Sequence, residues 1–295
     1  SLGVPLPAST QWEIVEQVAD RIYPAYLELN FQGAQGDVIY NDDTTAKILE
    51  LMKENKKEEA PERKGMFTTG IMSISGDRQI ALFYTGRKHA GENMDDLLRQ
   101  RQTHLQKPIQ MCDALSRNMP EELRVILANC LTHGRRKFVD VVNAFPPEVE
   151  YVLECLENVY KTDTQTKREE LSPDERLRLH QENSGLVMDE LHRWLKMQLE
   201  EKKVEPNSSL GGAIAYMLRH WEKLTLFLRV PGAPLDNNIC EQAMKMAIRH
   251  RKNSLFYKTM RGAAVGDLYM SLIHTCYFSA ADPFDYITQL QRHHH

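Results

Sequence analysis

The chain has 295 residues, 42% of them hydrophobic and 26% charged, with a formal net charge of −4. That length buries a substantial core and excludes a small stapled scaffold, and no apolar run reaches the roughly 18 residues that a bilayer span requires, so a soluble protein with no membrane partner is expected. The charge excludes a uniformly basic nucleic-acid binder but leaves local basic patches open.

The five cysteines are odd in number and contain no C-x-x-C pair, which speaks against a disulfide framework or a zinc ribbon and for a reducing, cytoplasmic setting. No signal peptide is visible, His293–His295 reads as the remnant of a purification tag, and Ser1 reads as a cloning scar.

In chain order, residues 9–29 open with Ser/Thr and carry Trp12, Val15, Val18, Ala19 and Ile22 at helical spacing, predicting an amphipathic helix that Pro24 bends or ends. GDVIYNDD (36–43) predicts a short strand, and the charge-dense KENKKEEAPERK (53–64) an exposed loop. Residues 65–85 contain two β-favouring runs around Ser-Gly-Asp and predict a hairpin. A helix over 91–102, loosely capped by Asn93-x-x-Asp96, leads to a buried strand at 108–115. From 117 to 230 the pattern turns helical, over 147–161, 172–203 and 209–229, and a last helix is expected near 262–278. The segments anticipated are 1–36, a core over 37–116, a helical continuation and insertion over 117–230, and a return to the core over 231–292.

Asp42 with Asp43, and Asp113, each close a predicted strand. Residues 234–261 hold six Lys/Arg against two acids, an isolated basic stretch in an acidic protein. On a helix beginning near Asn238, Ile239, Ala243, Met246 and Ala247 form an apolar stripe, with Glu241, Lys245, Arg249 and Lys252 nearly opposite. Singly, each acid has a plain explanation: Asn238-x-x-Glu241 as a helix cap, Asp42 and Asp43 as strand-end residues, Asp113 as an Asx-turn. Together, several carboxylates converging beside cations are what divalent-metal chemistry on phosphodiesters requires.

PLDNNICEQAMK, RHRKNSLFYKTMRGAAVGDLYMSLIHT and DPFDYI resemble the C-terminal signature of transposases of the bacterial insertion sequence 66 family. YNDDTT resembles that family's first-aspartate motif, and CLTHGRRKF its Cys-x-x-His-x-Arg-Arg-Lys-Phe motif, in the same order along the chain. The resemblance implies an α/β, RNase H-like mixed sheet flanked by helices, with a large all-helical insertion between the second aspartate and the glutamate. It implies a DDE triad of Asp42, Asp113 and Glu241 holding two Mg²⁺ or Mn²⁺ ions, which cleaves transposon ends and joins their 3′-OH to target DNA, with Asp43 on the opposite face of the strand end. It also implies DNA as partner and a homo-oligomer on DNA. Asp43 replaces a commoner glutamate, Thr45 a usual proline, and MCDALSRN departs from an Asp-x-Tyr context. The family's zinc- and DNA-binding segments before the catalytic domain are missing, so a trimmed N-terminus is expected. Two other readings stay open: a catalytically silent DNA-binding relative, and a general metal-dependent nuclease of the same fold.

Arg135, Arg136 and Lys137 form a compact basic run suited to phosphates, or equally a solvated helix end; Lys245, Arg249, Arg251, Lys252 and Lys258 are the stronger phosphate candidates. Cys130 and His133 read as packing or hydrogen-bonding residues, and Trp12, Trp194 and Trp221 as core. The interleaved charges of 163–205 read as a solvated face, with a dimer contact as the minor alternative.

Overall fold

The computed structural model describes residues 5–57, 63–120 and 124–293. They form two bodies: one from the described residues of 1–108, 115–125 and 238–295, the other from 109–114 and 126–237. The whole is a mixed α/β protein, and among the described residues no helix is long and apolar enough to cross a membrane.

In the first body, β-branched and aromatic residues build an antiparallel meander of β1 (Val38–Thr45), β2 (Phe67–Ser75) and β3 (Arg78–Gly86), with Asp42 opposite Gly70 and Gly70 opposite Phe83. Gly76, at φ +56°, makes the β2–β3 turn in a conformation that glycine adopts at little cost. Strand alternation gives the sheet two faces. Ile39, Ile71, Ile80 and Leu82 pack on α3 (Ala90–Leu98) through Met94, Leu97 and Leu98, each buried aliphatic side chain contributing about 1.5–3 kcal/mol. Against the meander also pack α8 (Asn238–Ser254), which lies on β1 and β2, and α9 (Met260–Phe278), which lies on β3.

The edge strand β3 is closed by side chains. The backbone N–H groups of Ala81, Phe83 and Thr85 donate to Thr275 Oγ1 (3.1 Å), Ser271 Oγ (2.9 Å) and Asp267 Oδ2 (2.6 Å), residues four apart along α9. Four helical residues rise about 6 Å and two strand residues about 6.8 Å, so the two periods nearly match. An edge that would otherwise recruit another strand is thereby covered.

Three readings change here. Pro24 does not end α1 (Ala8–Gly33), because Ala19 and Ile22 pack against Val265, Leu268 and Leu272 of α9 and hold the helix through the lost backbone bond. The charged run is not all loop: residues 53–57 finish α2 (Leu49–Lys57), a surface helix anchored by buried Leu51, whereas 58–62 lie outside the described residues. α3 starts at Ala90, with Glu92 accepting from the N–H of His89 (2.9 Å), so Asn93 and Asp96 are not its cap. A final helix, α10 (Pro283–Arg292), follows α9 and is capped by Asp282.

The second body contains a parallel pair, β4 (Ile109–Cys112) and β5 (Ile126–Asn129), followed by α4 (Leu131–Val139), α5 (Pro146–Arg168), α6 (Pro173–Glu200) and α7 (Ser209–Leu224). β5 lies where the sequence pattern reads as helical: its four residues are too short for periodicity to declare, and its partner is not adjacent in sequence. The helices bury Val149, Val152, Leu156, Val159, Met188, Leu191 and Leu195, and Trp221 stacks on His192 (4.4 Å). The stretch from 163 is not uniformly solvated. Asp163, His180 and Ser184 are buried, with His180 Nδ1 3.0 Å from Ser184 Oγ and Nε2 3.4 Å from Asp163 Oδ1, and Arg176 (2.7 Å) and Lys167 (2.7 Å) pair with the same carboxylate.

Candidate functional site

Within the first body, Asp42 and Glu241 come to the same side of the meander. Side chains directly opposite in an antiparallel pair share a face, so Asp42 shares its face with Gly70. A Cβ on Gly70 would stand 2.4 Å from Met244 Sδ, and Cys240 Sγ donates to Gly70 O (3.4 Å). The first turns of α8 therefore lie over Gly70, and Glu241, next to Cys240 in the first turn, rides on them. Thr44, two residues along the same face, accepts from Arg251 Nη1 (3.0 Å) at the far end of α8. The buried stripe of α8 is Cys240, Ala243, Met244 and Ala247; Ile239 and Met246 of the expected stripe are only half-buried.

Asn41 and Asp43 point the other way. Asn41 Nδ2 donates to Asn118 O (2.8 Å), and the Asp43 carboxylate, 1% exposed, lies 2.9 Å from His89 Nδ1 and 3.3 Å from Arg117 Nη2. Asp43 N–H donates to Asp42 Oδ1 (2.8 Å). A buried, paired carboxylate thus fixes the backbone that orients its neighbour. Sequence reasoning passed over His89 and Arg117; the one available signal was the His89-x-x-Glu92 box just beyond the hairpin.

Among the cations of the basic stretch, Lys245, Arg249, Lys252 and Lys258 are exposed, and no ion pair among the described residues engages them. Arg251 differs. Its Nη1 donates to Thr44 Oγ1, Thr45 Oγ1 (2.7 Å) and Thr45 O (2.6 Å), so it ties α8 to the end of β1.

In the second body Asp113 follows β4, and its backbone oxygen faces Asn129 Nδ2 at 3.5 Å. Burial pushes the Tyr216 phenol up to about 12, and the Asp113 charge adds to this, so the phenol stays protonated at neutral pH. Arg135, Arg136 and Lys137 are exposed on α4, and the Lys137 ammonium sits 5.6 Å over the Tyr216 ring. Cys130 precedes α4 as its N-cap residue, and its buried sulfur accepts from Asn237 N–H (3.3 Å).

A profile of the transposase IS66 family matches residues 1–265. The chain is 35% identical over 167 residues to the uncharacterized protein y4jD of Sinorhizobium fredii (strain NBRC 101917 / NGR234), a match covering 56% of this chain and 32% of that protein. It is 28% identical over 172 residues to y4hP of the same strain, covering 54% and 30%. The chain spans about a third of the length of these curated relatives.

Proposed function

The chain belongs to the IS66 transposase family, and from that premise we propose that it carries the DNA-cleaving and strand-joining chemistry of a transposase. The core is read as RNase H-like, with residues 117–230 as its helical continuation and insertion. The observation that carries the reading is the shared face of strand-borne Asp42 and helix-borne Glu241, on a helix whose outer cations Lys245, Arg249 and Lys252 have no ion pair among the described residues. Asp113 is added as the third acid on its place after β4 and in the motif order.

Asp42, Asp113 and Glu241 are the proposed ligands of two Mg²⁺ or Mn²⁺ ions. The donors fit hard cations, since carboxylate oxygens are what these ions take. Within the first body, the thiol next to Glu241 in sequence, that of Cys240, is engaged with Gly70 O. Two such ions, when bound, supply activation of the attacking oxygen and stabilisation of the leaving one. The protein's own residues do the positioning. Asp43 N–H orients the Asp42 carboxylate, His89 and Arg117 hold Asp43 in place, and Arg251 fixes the end of β1 against α8. Lys245, Arg249, Lys252 and Lys258, with Arg135, Arg136 and Lys137, are proposed to hold DNA phosphates. DNA ends and target are the proposed partners, engaged by a homo-oligomer in the bacterial cytoplasm.

The test is Mn²⁺ binding by isothermal titration calorimetry beside joining of pre-cleaved transposon ends, on the wild type and on Asp42→Asn, Asp113→Asn and Glu241→Gln. Each substitution is expected to abolish one or both heats of binding and to slow joining by roughly 10³-fold, the several kcal/mol that metal stabilisation of a transition state supplies. A wild type that binds no Mn²⁺ and joins nothing would support the silent relative instead. Cleavage that ignores end sequence would support the nuclease.

A further inference from the structure

Beyond the tip of α8 the first body opens into a groove of about 880 Å³ whose walls include Trp12, Phe256, Tyr257 and Tyr269. Trp12 is 39% exposed and Phe256 46% exposed, so neither belongs to the core, contrary to the expectation for Trp12. The groove is built rather than incidental. Gly262 and Gly266, one turn apart on α9, leave its floor flat: Trp12 comes within 3.9 Å of where a Cβ on Gly262 would stand, and a Cβ on Gly266 would meet the Tyr257 ring at 2.9 Å. Tyr257 is fixed by backbone bonds to Lys47 O (2.8 Å) and from Leu49 N (2.9 Å), and its ring stacks on His250 at 5.2 Å. Leu255 is held at φ +61°, a conformation L residues avoid, and the turn it makes leaves Leu255 and Phe256 facing outward.

Charge selects the occupant. Glu16 is the one carboxylate among the lining residues, and it pairs at 2.8 Å with Arg261, which Asp20 also engages. Lys258 lines the groove, exposed and without an acidic ion-pair partner among the described residues. Aromatic faces beside an exposed lysine without an ion pair match a nucleic-acid strand whose bases have left the duplex, because every base offers a π-face and every step a phosphate. His250 on the wall lies nine residues past Glu241, about 13 Å along the helix at ~1.5 Å per residue, which is about four stacked nucleotide steps at ~3.4 Å each.

We infer that this groove binds unpaired DNA nucleotides, stacking their bases on Trp12 and Phe256 with Lys258 on a flanking phosphate. The inference rests on the transposase reading for the identity of the polymer, and it adds a single-strand subsite a few nucleotides from the proposed acids.

The test is fluorescence anisotropy with a labelled oligo(dT) 12-mer and a duplex of the same length, in EDTA, so that no metal chemistry enters. The wild type is expected to prefer the single strand, and Trp12→Ala and Phe256→Ala each to weaken it by about tenfold while leaving duplex binding unchanged, the usual effect of removing one stacking platform. Trp12→Phe should restore most of the loss, which a general folding defect would not allow. Lys258→Ala should lower the salt slope for the single strand by about 0.7. Equal binding of single strand and duplex by the wild type, or unchanged oligo(dT) binding in both aromatic variants, would overturn the inference. So would aromatic variants that alter only self-association in light scattering, since the groove would then be an interface between copies. Mn²⁺-dependent joining of pre-cleaved ends by the wild type reports separately on the transposase reading, so either conclusion can fail while the other stands.

Discussion

Asp163 in the helical body and Asp267 in the sheet body are both buried aspartates on long helices, and their surroundings drive them in opposite directions. Burial alone raises a carboxyl. At Asp163 that tendency is overturned by the His180 hydrogen bond, the Arg176 charge and the Lys167 pair, which hold the acid well below its usual range. At Asp267 burial prevails, because the groups that answer it are the neutral N–H and hydroxyl of Thr85, and the carboxyl is pushed up to about 7. The helical body thus compensates its buried charge with cations of its own. The sheet body leaves an acid uncompensated where it caps an edge strand, and sends its free cations to the surface of α8 and the α8–α9 connection.

The largest stability effect should come from breaking the balanced network. Asp163→Asn strands Arg176, only 18% exposed, and is expected to cost about 3–5 kcal/mol in thermal or urea unfolding. The sign with pH follows from the depressed folded-state value: the contribution is present above the ordinary 3.8 and is lost as pH falls toward the folded value, so wild type and variant should converge in acid. A gap that stays constant into acid would show that the Asp163 charge is not what holds the network.

Asp267 should behave oppositely. Its folded-state value lies above the unfolded one, so the native state holds the extra proton and stability declines as pH rises from 3.8 through about 7, by on the order of 4 kcal/mol from this group alone. Asp267→Asn keeps an acceptor for Thr85 N–H and a donor for Thr85 Oγ1, so it should flatten that decline and stabilise the protein at pH 8. Parallel wild-type and variant curves of melting temperature against pH, from 4 to 8, would remove Asp267 as the cause.

The contrast also explains how much was readable from sequence. The hairpin, β1, the start of α8 and α9 follow from alternation, turn residues and helical spacing, all local signals. The two buried networks do not. Asp163, Arg176 and His180 look like any mixed-charge helical surface until α5 folds against α6, and Asp267 looks like a polar interruption in an apolar helix until α9 aligns with the edge of β3. The proposed site divides in the same way. Asp42, Asp113 and Glu241 stand out by motif, whereas His89, Arg117 and the tether from Arg251 to Thr44 depend on side chains 46, 74 and 207 residues from the strand positions they touch. β5 stayed hidden because four residues carry no period, and the buried face of α8 was misplaced by one position at Cys240 and two at Met244, since a cysteine is a weak hydrophobic marker.

The smallest effect tests the contact on which the Asp42–Glu241 pairing depends. Gly70 is the position where α8 rides directly on β2, and a methyl group there would meet Met244 Sδ at 2.4 Å. The methionine chain is flexible, so Gly70→Ala should cost about 1 kcal/mol, the low end of overpacking penalties. Met244→Ala opens space in the same place, and Gly70→Ala should therefore be nearly neutral in that background, a coupling measurable in a double-mutant cycle of unfolding free energies. Joining activity should respond more than stability does, because lifting the first turns of α8 moves Glu241 away from the Asp42 face. Additive unfolding energies with activity unchanged would mean that α8 does not set the position of Glu241, and the shared face of the two acids would lose its geometric support.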